Sequence, residues 1–361
     1  MSQVVEPPLD SVVIGAGQAG LSSSFHLRRL GVEHVVLDAD AAPGGAWRHR
    51  WDALTMADVH GVADLPDAPR PPAQGPERAN EFVPAYFAAY EREHALPVVR
   101  PAVVEHVRQD TADPALLLVE ARLGDEPRSW RARTLVNASG TWRRPFVPRY
   151  PGQETFAGEQ LHTVAYPGPE HFRSERVLVV GGGASAVQFL GALRPVTDTL
   201  WVTRREPVWR TEKFDPEAGR EAVAMVAERV RQGLPPRSVV SVTGLMLRPQ
   251  EAEAQRLGAY RRLPMFERVE PGGVRWADGT FEAVDVILWA TGFRPDVEHL
   301  APLHLRSPCG GIQLGSTAAT ATESVVDPRV QLVGYGPSAS TIGANRAGRT
   351  AAVAVRRHLR A

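Results

Sequence analysis

Two short glycine-rich segments constrain the fold of this 361-residue chain more than any other feature of its sequence. The first, GAGQAG at residues 15–20, lies between the apolar stretch SVVI and the helix-like pattern LSSSFHLRRLG. The second, GGGASA at residues 181–186, follows the apolar stretch RVLVV, so the two segments begin 166 positions apart. A strand, a glycine turn and a helix in this order predict a βαβ unit that binds a dinucleotide. The sequence therefore predicts an α/β protein with two nested dinucleotide-binding domains.

Each glycine of the first segment has a different role in a dinucleotide-binding turn. Gly15 permits the tight turn, Gly17 lets the backbone approach a pyrophosphate, and Gly20 lets the helix pack closely against the strand. The pyrophosphate would rest on the helix N-terminus at Gln18 and Ala19, where unpaired N–H groups and the helix dipole favour negative charge. These five residues are therefore candidate cofactor-binding residues.

The second segment repeats the pattern with one change. Gly181 and Gly183 match the first two glycines, whereas Ala186 replaces the third with another small residue that the fold permits. Ser185 lies at the same predicted helix N-terminus. The sequence therefore predicts a second cofactor site here.

The two sites differ at the end of the strand that follows each helix. The first such strand, VEHVVLD, ends in Asp38, 18 residues beyond Gly20, where a carboxylate can accept hydrogen bonds from ribose hydroxyls. The second, LWVTRR, ends in Thr203, Arg204 and Arg205. A carboxylate would repel a 2′-phosphate, whereas arginine can bind one through charge-assisted hydrogen bonds. Two different cofactors are therefore expected, FAD in the first site and NADPH in the second.

Composition excludes several other classes of protein. The 41 basic and 41 acidic residues balance, so neither nucleic acid nor a membrane surface is an expected partner. Cys309 is the only cysteine, which rules out an intrachain disulfide, a redox cysteine pair and a cysteine-rich zinc site, and no metal is expected. The N-terminus lacks a signal-peptide pattern and no apolar run is long enough to span a membrane, so a cytoplasmic location is expected.

Two strand patterns that end in glycine mark where the chain returns from one domain to the other. They are LVNASG at residues 135–140 and VDVILWATG at residues 284–292. The predicted FAD domain is discontinuous, and the predicted NADPH domain carries a helical insertion that could cover the active site. The boundaries are 1–148 and 293–361 for the FAD domain, 149–292 for the NADPH domain and about 216–258 for the insertion.

Further segments match the pattern of one family. Residues 156–166, FAGEQLHTVAY, fit the signature FxGxxxHxxx(Y/F/W), and residues 43–47 and 51–54, PGGAW and WDAL, are similar to a GGxW…W..L segment. Residues 290–293, ATGF, match an ATG motif, and residues 138–140, ASG, are an imperfect earlier copy of it. On these segments the chain resembles the class B flavin-containing monooxygenases, a family that includes auxin-biosynthetic enzymes and, more distantly, Baeyer–Villiger monooxygenases.

The resemblance implies a three-layer ββα architecture like that of pyridine-nucleotide-disulfide-reductase-like flavoproteins, and it implies a reaction. NADPH would reduce FAD, the reduced flavin would react with O2, and a C4a-(hydro)peroxyflavin would transfer one oxygen atom to a small-molecule substrate. N-, S- and Baeyer–Villiger oxygenation all remain open. Tyr166, where typical Baeyer–Villiger enzymes carry tryptophan, favours heteroatom or amine oxygenation.

The resemblance also adds candidate site residues. His60 lies in the stretch where many relatives place an asparagine beside the flavin, which implies a catalytic imidazole; a histidine in a polar turn is the alternative. The further cofactor-binding candidates are Gly45, Trp47, Trp51, Gly140, His162, Tyr166, Ala290, Thr291, Gly292 and Thr341.

Two other functions remain open at this stage. An NADPH oxidase or quinone-type reductase would use the same two cofactors without inserting oxygen, and peroxide yield with and without substrate would distinguish it. A non-catalytic flavin-binding regulatory protein would use the fold only as a scaffold. The sequence is also compatible with a homodimer.

Overall fold

The computed structural model describes residues 7–59, 62–73, 76–210, 216–236, 244–247 and 249–360. The chain divides into two compact units. Unit 1 comprises Met1–Gly140, Val223–Val239 and Pro295–Ala361, and unit 2 comprises Thr141–Ala222 and Val240–Arg294. Among the helices that are described, none combines the length and the apolar character needed to cross a membrane.

Helices and strands alternate over much of the chain. The helices are α1 (Gln18–Arg29), α2 (Ala79–Glu93), α3 (Ala184–Leu193), α4 (Pro216–Arg231), α5 (Pro249–Arg256) and α6 (Thr341–His358). The strands are β1 (Leu9–Ile14), β2 (His34–Leu37), β3 (Val98–Val99), β4 (Ala102–Gln109), β5 (Leu117–Leu123), β6 (Glu126–Asn137), β7 (Glu159–His162), β8 (Arg176–Val180), β9 (Asp198–Thr203), β10 (Trp209–Arg210), β11 (Leu245–Met246), β12 (Arg262–Pro264), β13 (Arg268–Glu270), β14 (Gly273–Arg275), β15 (Phe281–Ala283), β16 (Val286–Trp289) and β17 (Val330–Leu332).

The main sheet of unit 1 has a parallel part and an antiparallel part. Its strand order is β3-β2-β1-β6-β5-β4, and β17 also pairs with β6. β1 runs parallel to both β2 and β6, whereas β4, β5 and the first half of β6 are antiparallel. The strand order reverses at β1, because β2 lies on one side of it and β6 on the other. In doubly wound sheets a ligand binds beyond the carboxyl ends of the strands at such a reversal.

Small residues let the first and last helices of the chain approach each other closely. Ser22, Ser23 and Ser24 of α1 are fully buried, as is Ala351 of α6. A Cβ added at Gly348 of α6 would lie 2.6 Å from the Ser22 hydroxyl oxygen. Glycine at this position therefore permits α6 to lie against α1.

Unit 2 is built on a second, entirely parallel sheet with the order β12-β9-β8-β16-β7. A separate antiparallel sheet of β13, β14 and β15 contributes Val269 and Val274 to a core that also contains Ile287 and Trp289 of β16. The prediction of an α/β protein with two nested dinucleotide-binding folds is confirmed.

Part of the stretch assigned from sequence to the NADPH domain clusters with unit 1. Residues 223–239 belong to unit 1 because the C-terminal half of α4 buries Val226 and Val230. Val230 joins the core formed with Leu314 and Tyr335, and a Cβ added at Gly336 would lie 2.7 Å from its Cγ2.

A buried hydrogen-bonded chain fixes the end of β6. The His299 Nε2 lies 2.7 Å from the Asn137 side-chain oxygen, the Asn137 amide nitrogen donates to the Ser139 hydroxyl at 3.1 Å, and that hydroxyl donates to the Asp296 carbonyl. Because the Asn137 nitrogen is used as a donor, His299 donates through Nε2–H as a neutral ring. Burial lowers the pKa of His299 to about 4 from its ordinary value of 6.5.

This pKa predicts a loss of stability in acid. The folded pKa is depressed, so the contribution of His299 is present above pH 6.5 and is lost as the pH falls towards 4. Between pH 7.5 and pH 5 it should lower the free energy of unfolding by about 2 kcal/mol. Urea unfolding of the FAD-loaded protein at both pH values measures this loss. A His299→Gln variant keeps a donor for Asn137 and should lose about 2 kcal/mol less; equal pH dependence in both proteins would contradict the assignment.

Candidate functional site

The first glycine turn is held against the end of β6. Gly15 has φ +94°, and a Cβ there would lie 2.6 Å from the Ala138 carbonyl oxygen. A Cβ at Gly20 would lie 1.8 Å from the Gly15 carbonyl oxygen. Backbone oxygens block both positions, so glycine is required at each by packing within unit 1.

The middle glycine of this turn faces open space instead. Gly17 is the N-cap residue of α1, and a Cβ there would have nothing within 4 Å among the described atoms. Gly45, with φ +51°, packs against it so closely that a Cβ would lie 2.9 Å from the Gly17 Cα. The first turn of α1 carries no acid and Gly17 has no capping side chain. The space that a methyl group at Gly17 would enter therefore fits the pyrophosphate of a dinucleotide.

Gln18 has a structural contact in addition to its place at the helix N-terminus. Its side-chain nitrogen donates to the Asn345 side-chain oxygen at 2.9 Å and to the Ala63 carbonyl at 3.2 Å. Asn345 in turn donates to the Asp64 carbonyl. The Gln18 side chain thus connects α1 to the 62–65 loop and to α6, while Ala19 beside it is buried.

Asp38 directly follows β2 and is part of a buried ion cluster. Its carboxylate accepts a hydrogen bond from the Arg100 Nε at 2.7 Å, and the two Arg100 Nη atoms donate to Glu91 at 2.7 and 2.6 Å. The Asp38 side chain is only 8% exposed and that of Arg100 is 11% exposed. Two carboxylates around one guanidinium leave this end of β2 with a net negative charge.

The second glycine turn reproduces the first. Gly181 has φ +141°, and a Cβ there would lie 2.2 Å from the Ala290 carbonyl oxygen. Gly183 is the N-cap residue of α3, and a Cβ there would have nothing within 4 Å among the described atoms. Ser185 is half-buried and Ala186 is fully buried in the first turn of α3. This turn also has the open space that a pyrophosphate needs.

The end of β9 carries a group of arginines. Arg204 and Arg205 are exposed, while Thr203 is buried. The Thr203 hydroxyl donates to the Arg205 carbonyl at 2.6 Å and accepts from the Arg262 Nε at 2.8 Å. Arg262 also donates through Nη2 to the Thr203 carbonyl at 3.1 Å. The structure therefore adds Arg262 to the residues predicted here.

His162 of the family signature is bound on both sides by the main chain of unit 2. Its Nδ1 accepts from the Val164 N–H at 3.3 Å, so its Nε2–H donates to the Gly292 carbonyl at 3.0 Å. Burial lowers its pKa, which keeps the ring neutral and preserves both bonds. The ring meets Phe293 edge to face at 5.1 Å. His162 therefore holds the glycine that ends the ATG motif.

Tyr166, the other signature residue, is buried between aromatic rings. Its ring stacks on Phe189 at 4.2 Å and on Phe172 at 5.7 Å. Burial raises its pKa well above the ordinary value of a phenol.

The ASG and ATG motifs form matching turns at the ends of β6 and β16. Gly140 has φ +71° and accepts from the Asp296 N–H, and Gly292 has φ +80° and accepts from the Phe146 N–H. The Thr291 hydroxyl donates to the Phe146 carbonyl, which fixes the second turn.

The remaining candidates lie in three places. Gly45–Trp47 forms a 3₁₀ turn, and the half-buried Trp47 packs on the core of unit 1 with the Arg50 guanidinium 5.6 Å from its ring. Trp51 is half-buried in the turn that follows. Thr341 is the first residue of α6, whose N-cap is Ser340. His60, the catalytic candidate, lies outside the described residues.

Sequence reasoning missed Glu91, Arg100 and Arg262. The two arginines have partners distant in the chain, because Arg100 is 62 residues from Asp38 and Arg262 is 59 residues from Thr203, and Glu91 joins the first cluster only through Arg100. The one sequence signal for the two arginines is a short apolar pattern beside each, before Arg100 and after Arg262, which indicates that each lies at the end of a strand.

Known proteins match the chain in both sequence and structure. A family model described as pyridine nucleotide-disulphide oxidoreductase matches residues 9–326. A flavin-containing monooxygenase from Stenotrophomonas maltophilia is 37% identical, with 98% of this chain and 99% of that chain covered at a TM-score of 0.81. The indole-3-pyruvate monooxygenase YUCCA4 of Oryza sativa subsp. japonica is 28% identical over 83% of this chain and 77% of its own length. The bacillithiol disulfide reductase of Bacillus cereus, 15% identical with a TM-score of 0.73, shares the fold.

The chain belongs to the pyridine nucleotide-disulphide oxidoreductase family and, within it, to the class B flavin-containing monooxygenases. It is a flavin-dependent monooxygenase. The resemblance found in the sequence is confirmed.

The two kinds of glycine in the first turn predict opposite effects of alanine. Gly17→Ala should lower the free energy of unfolding by no more than about 1 kcal/mol, since its methyl group enters open space and alanine is only a poorer N-cap, but should weaken FAD binding at least about tenfold. Gly20→Ala should destabilise unit 1 by more than about 2 kcal/mol, since its methyl group meets a backbone oxygen. Urea unfolding of the FAD-free proteins and FAD titration measure both effects. Normal FAD affinity in Gly17→Ala would contradict the assignment of this space to the pyrophosphate.

Proposed function

We propose that unit 1 holds FAD, that unit 2 holds NADPH, and that the enzyme inserts one atom of O2 into a small organic substrate at nitrogen, sulfur or a carbonyl carbon. One observation carries the proposal. Both units have a glycine turn with open space at a helix N-terminus, at Gly17 and at Gly183, but the strand ends beside these turns, those of β2 and β9, carry opposite charge. Asp38 and its cluster are negative, whereas Arg204, Arg205 and Arg262 are positive.

In unit 1 the proposed contacts follow from the open space at Gly17. The backbone at Gly17 and the N-terminus of α1 would bind the FAD pyrophosphate. Asp38 would accept hydrogen bonds from the hydroxyls of the adenosine ribose, and Arg100 would hold its carboxylate in place. FAD carries no 2′-phosphate, so a buried negative cluster at this position suits it.

In unit 2 the N-terminus of α3 would bind the NADPH pyrophosphate. Arg204 and Arg205 would bind the 2′-phosphate, since guanidinium groups form paired charge-assisted hydrogen bonds with phosphate oxygens. His162 and Thr291 would keep the turn at Gly292 in its observed shape.

Bound FAD supplies the redox and oxygen chemistry, which amino-acid side chains cannot provide. The protein's own residues bind and orient the two cofactors and exclude water. Tyr166 in place of tryptophan supports nitrogen or sulfur oxygenation as the first substrate class to test.

Oxygen insertion is tested by following the oxygen atoms. The FAD-loaded enzyme is supplied with NADPH and ¹⁸O2 and screened against amines, thioethers and ketones. For a true substrate, one ¹⁸O atom should enter the product for each NADPH consumed, and H2O2 should fall below the level formed without substrate. Equal amounts of H2O2 and consumed NADPH with every compound would instead identify an oxidase.

The assignment of NADPH to unit 2 is tested at the exposed arginines. Arg204→Gln and Arg205→Gln should each raise the KM for NADPH about tenfold and leave the KM for NADH unchanged, because only NADPH carries the 2′-phosphate. Arg173→Gln, which removes an exposed arginine paired with Glu170 elsewhere in unit 2, serves as the control. Equal changes for both cofactors would contradict the assignment.

A further inference from the structure

The two strand ends can be compared residue by residue. The Gly15 N–H donates to the Leu37 carbonyl at 2.8 Å, and the Gly181 N–H donates to the Val202 carbonyl at 3.0 Å. The next residues, Asp38 and Thr203, therefore occupy equivalent positions at the ends of β2 and β9. In dinucleotide-binding folds this position reads the 2′ substituent of the adenosine ribose.

In both units an arginine in or next to the edge strand donates through Nε to the residue at this position. Arg100 follows β3 and donates to Asp38 at 2.7 Å, while Arg262 begins β12 and donates to Thr203 at 2.8 Å. β12 pairs with β9 in parallel, with Leu263 opposite Val202. Arg262 itself is opposite Trp201, and its long side chain extends along β9 to reach Thr203 at the strand end.

The charge environment of the two arginines differs. Arg100 is enclosed by Asp38 and Glu91, and its three described side-chain hydrogen bonds all go to carboxylates. Arg262 binds a neutral hydroxyl and a carbonyl of Thr203. Its Nη1 is 3.9 Å from the Glu206 carboxylate, which is too long for a hydrogen bond, and Glu206 is 85% exposed. An ion pair of this kind neutralises little of the positive charge.

Thr203 also fixes where the charge lies. One hydroxyl group accepts from Arg262 and donates to the Arg205 carbonyl, so it ties the side chain of one arginine to the main chain of another. The guanidinium of Arg262 is held through Nε and Nη2 and remains 23% exposed. Among the described residues, neither Nη1 nor the second hydrogen of Nη2 has a hydrogen-bond partner, so both can bind a phosphate.

We propose that Arg262 is a specificity-determining residue that binds the 2′-phosphate of NADPH together with Arg204 and Arg205, and that Thr203 positions it. The inference rests on the proposed assignment of NADPH to unit 2. It also explains why β9 ends in threonine rather than in an acid: a carboxylate here would pair with Arg262 as Asp38 pairs with Arg100, and the phosphate would lose its partner.

The test uses two fragments that differ only in the 2′-phosphate. Binding of 2′,5′-ADP and of 5′-AMP to the FAD-loaded enzyme is measured by calorimetry, without turnover. Arg262→Gln should weaken 2′,5′-ADP at least about tenfold and leave 5′-AMP unchanged. Arg261→Gln changes the adjacent, exposed arginine and should alter neither. Thr203→Val keeps all the arginines but removes the hydroxyl, and should also weaken 2′,5′-ADP selectively.

The outcomes distinguish a failure of the NADPH assignment to unit 2 from a failure of the role proposed for Arg262. If the unaltered enzyme binds both fragments equally, the assignment of NADPH to unit 2 fails and this inference fails with it. If the unaltered enzyme prefers 2′,5′-ADP but Arg262→Gln keeps that preference, only the role of Arg262 is overturned. Equal weakening of both fragments would show that Arg262 merely supports the end of β9. Arg262→Lys retains the positive charge but lacks the paired N–H donors of a guanidinium. It should bind 2′,5′-ADP more tightly than Arg262→Gln.

Discussion

The contact between each glycine turn and a backbone carbonyl of the returning strand is the constraint on which both proposed cofactor sites depend. Gly15 lies against the Ala138 carbonyl, and Gly181 lies against the Ala290 carbonyl. The strands cannot move apart to admit a side chain, since the Ala138 and Ala290 N–H groups are bonded to Ile14 and Val180 in the preceding strands. The turn, the helix N-terminus and the strand end are therefore fixed together in each unit.

The two units share this backbone arrangement but differ in the charged residues at the ends of β2 and β9. The chain has no net charge, so neither cofactor is attracted by the protein as a whole. In the proposed assignment, selection between a ribose hydroxyl and a ribose phosphate is instead made locally, by one buried carboxylate pair in unit 1 and by arginines around a threonine in unit 2. On that proposal, a single protein would hold two similar adenine dinucleotides without exchanging their sites.

How far the sequence could be read depended on how local each feature is. The glycine turns, Asp38 and the arginine pair were predictable because a βαβ unit fixes their spacing within about thirty residues. Arg100 and Arg262 were not, because Asp38 and Thr203 lie 62 and 59 residues away and come close only through the pairing of distant strands. His162 was predicted from a family signature, but no pattern could show that both ring nitrogens bind the main chain.

The closeness of α1 and α6 has a consequence for biosynthesis. Gly348 lies against Ser22, so the helical layer of unit 1 combines the first and last helices of the chain. A ribosome that has translated as far as Arg294 has made every residue of unit 2 but not the helix that covers α1. Unit 1 therefore lacks α6 throughout the synthesis of unit 2, although α1 is made at the start of the described residues. A nascent chain interrupted before α6 would leave Ser22, and the face of α1 that Gly348 covers, open to chaperones and proteases.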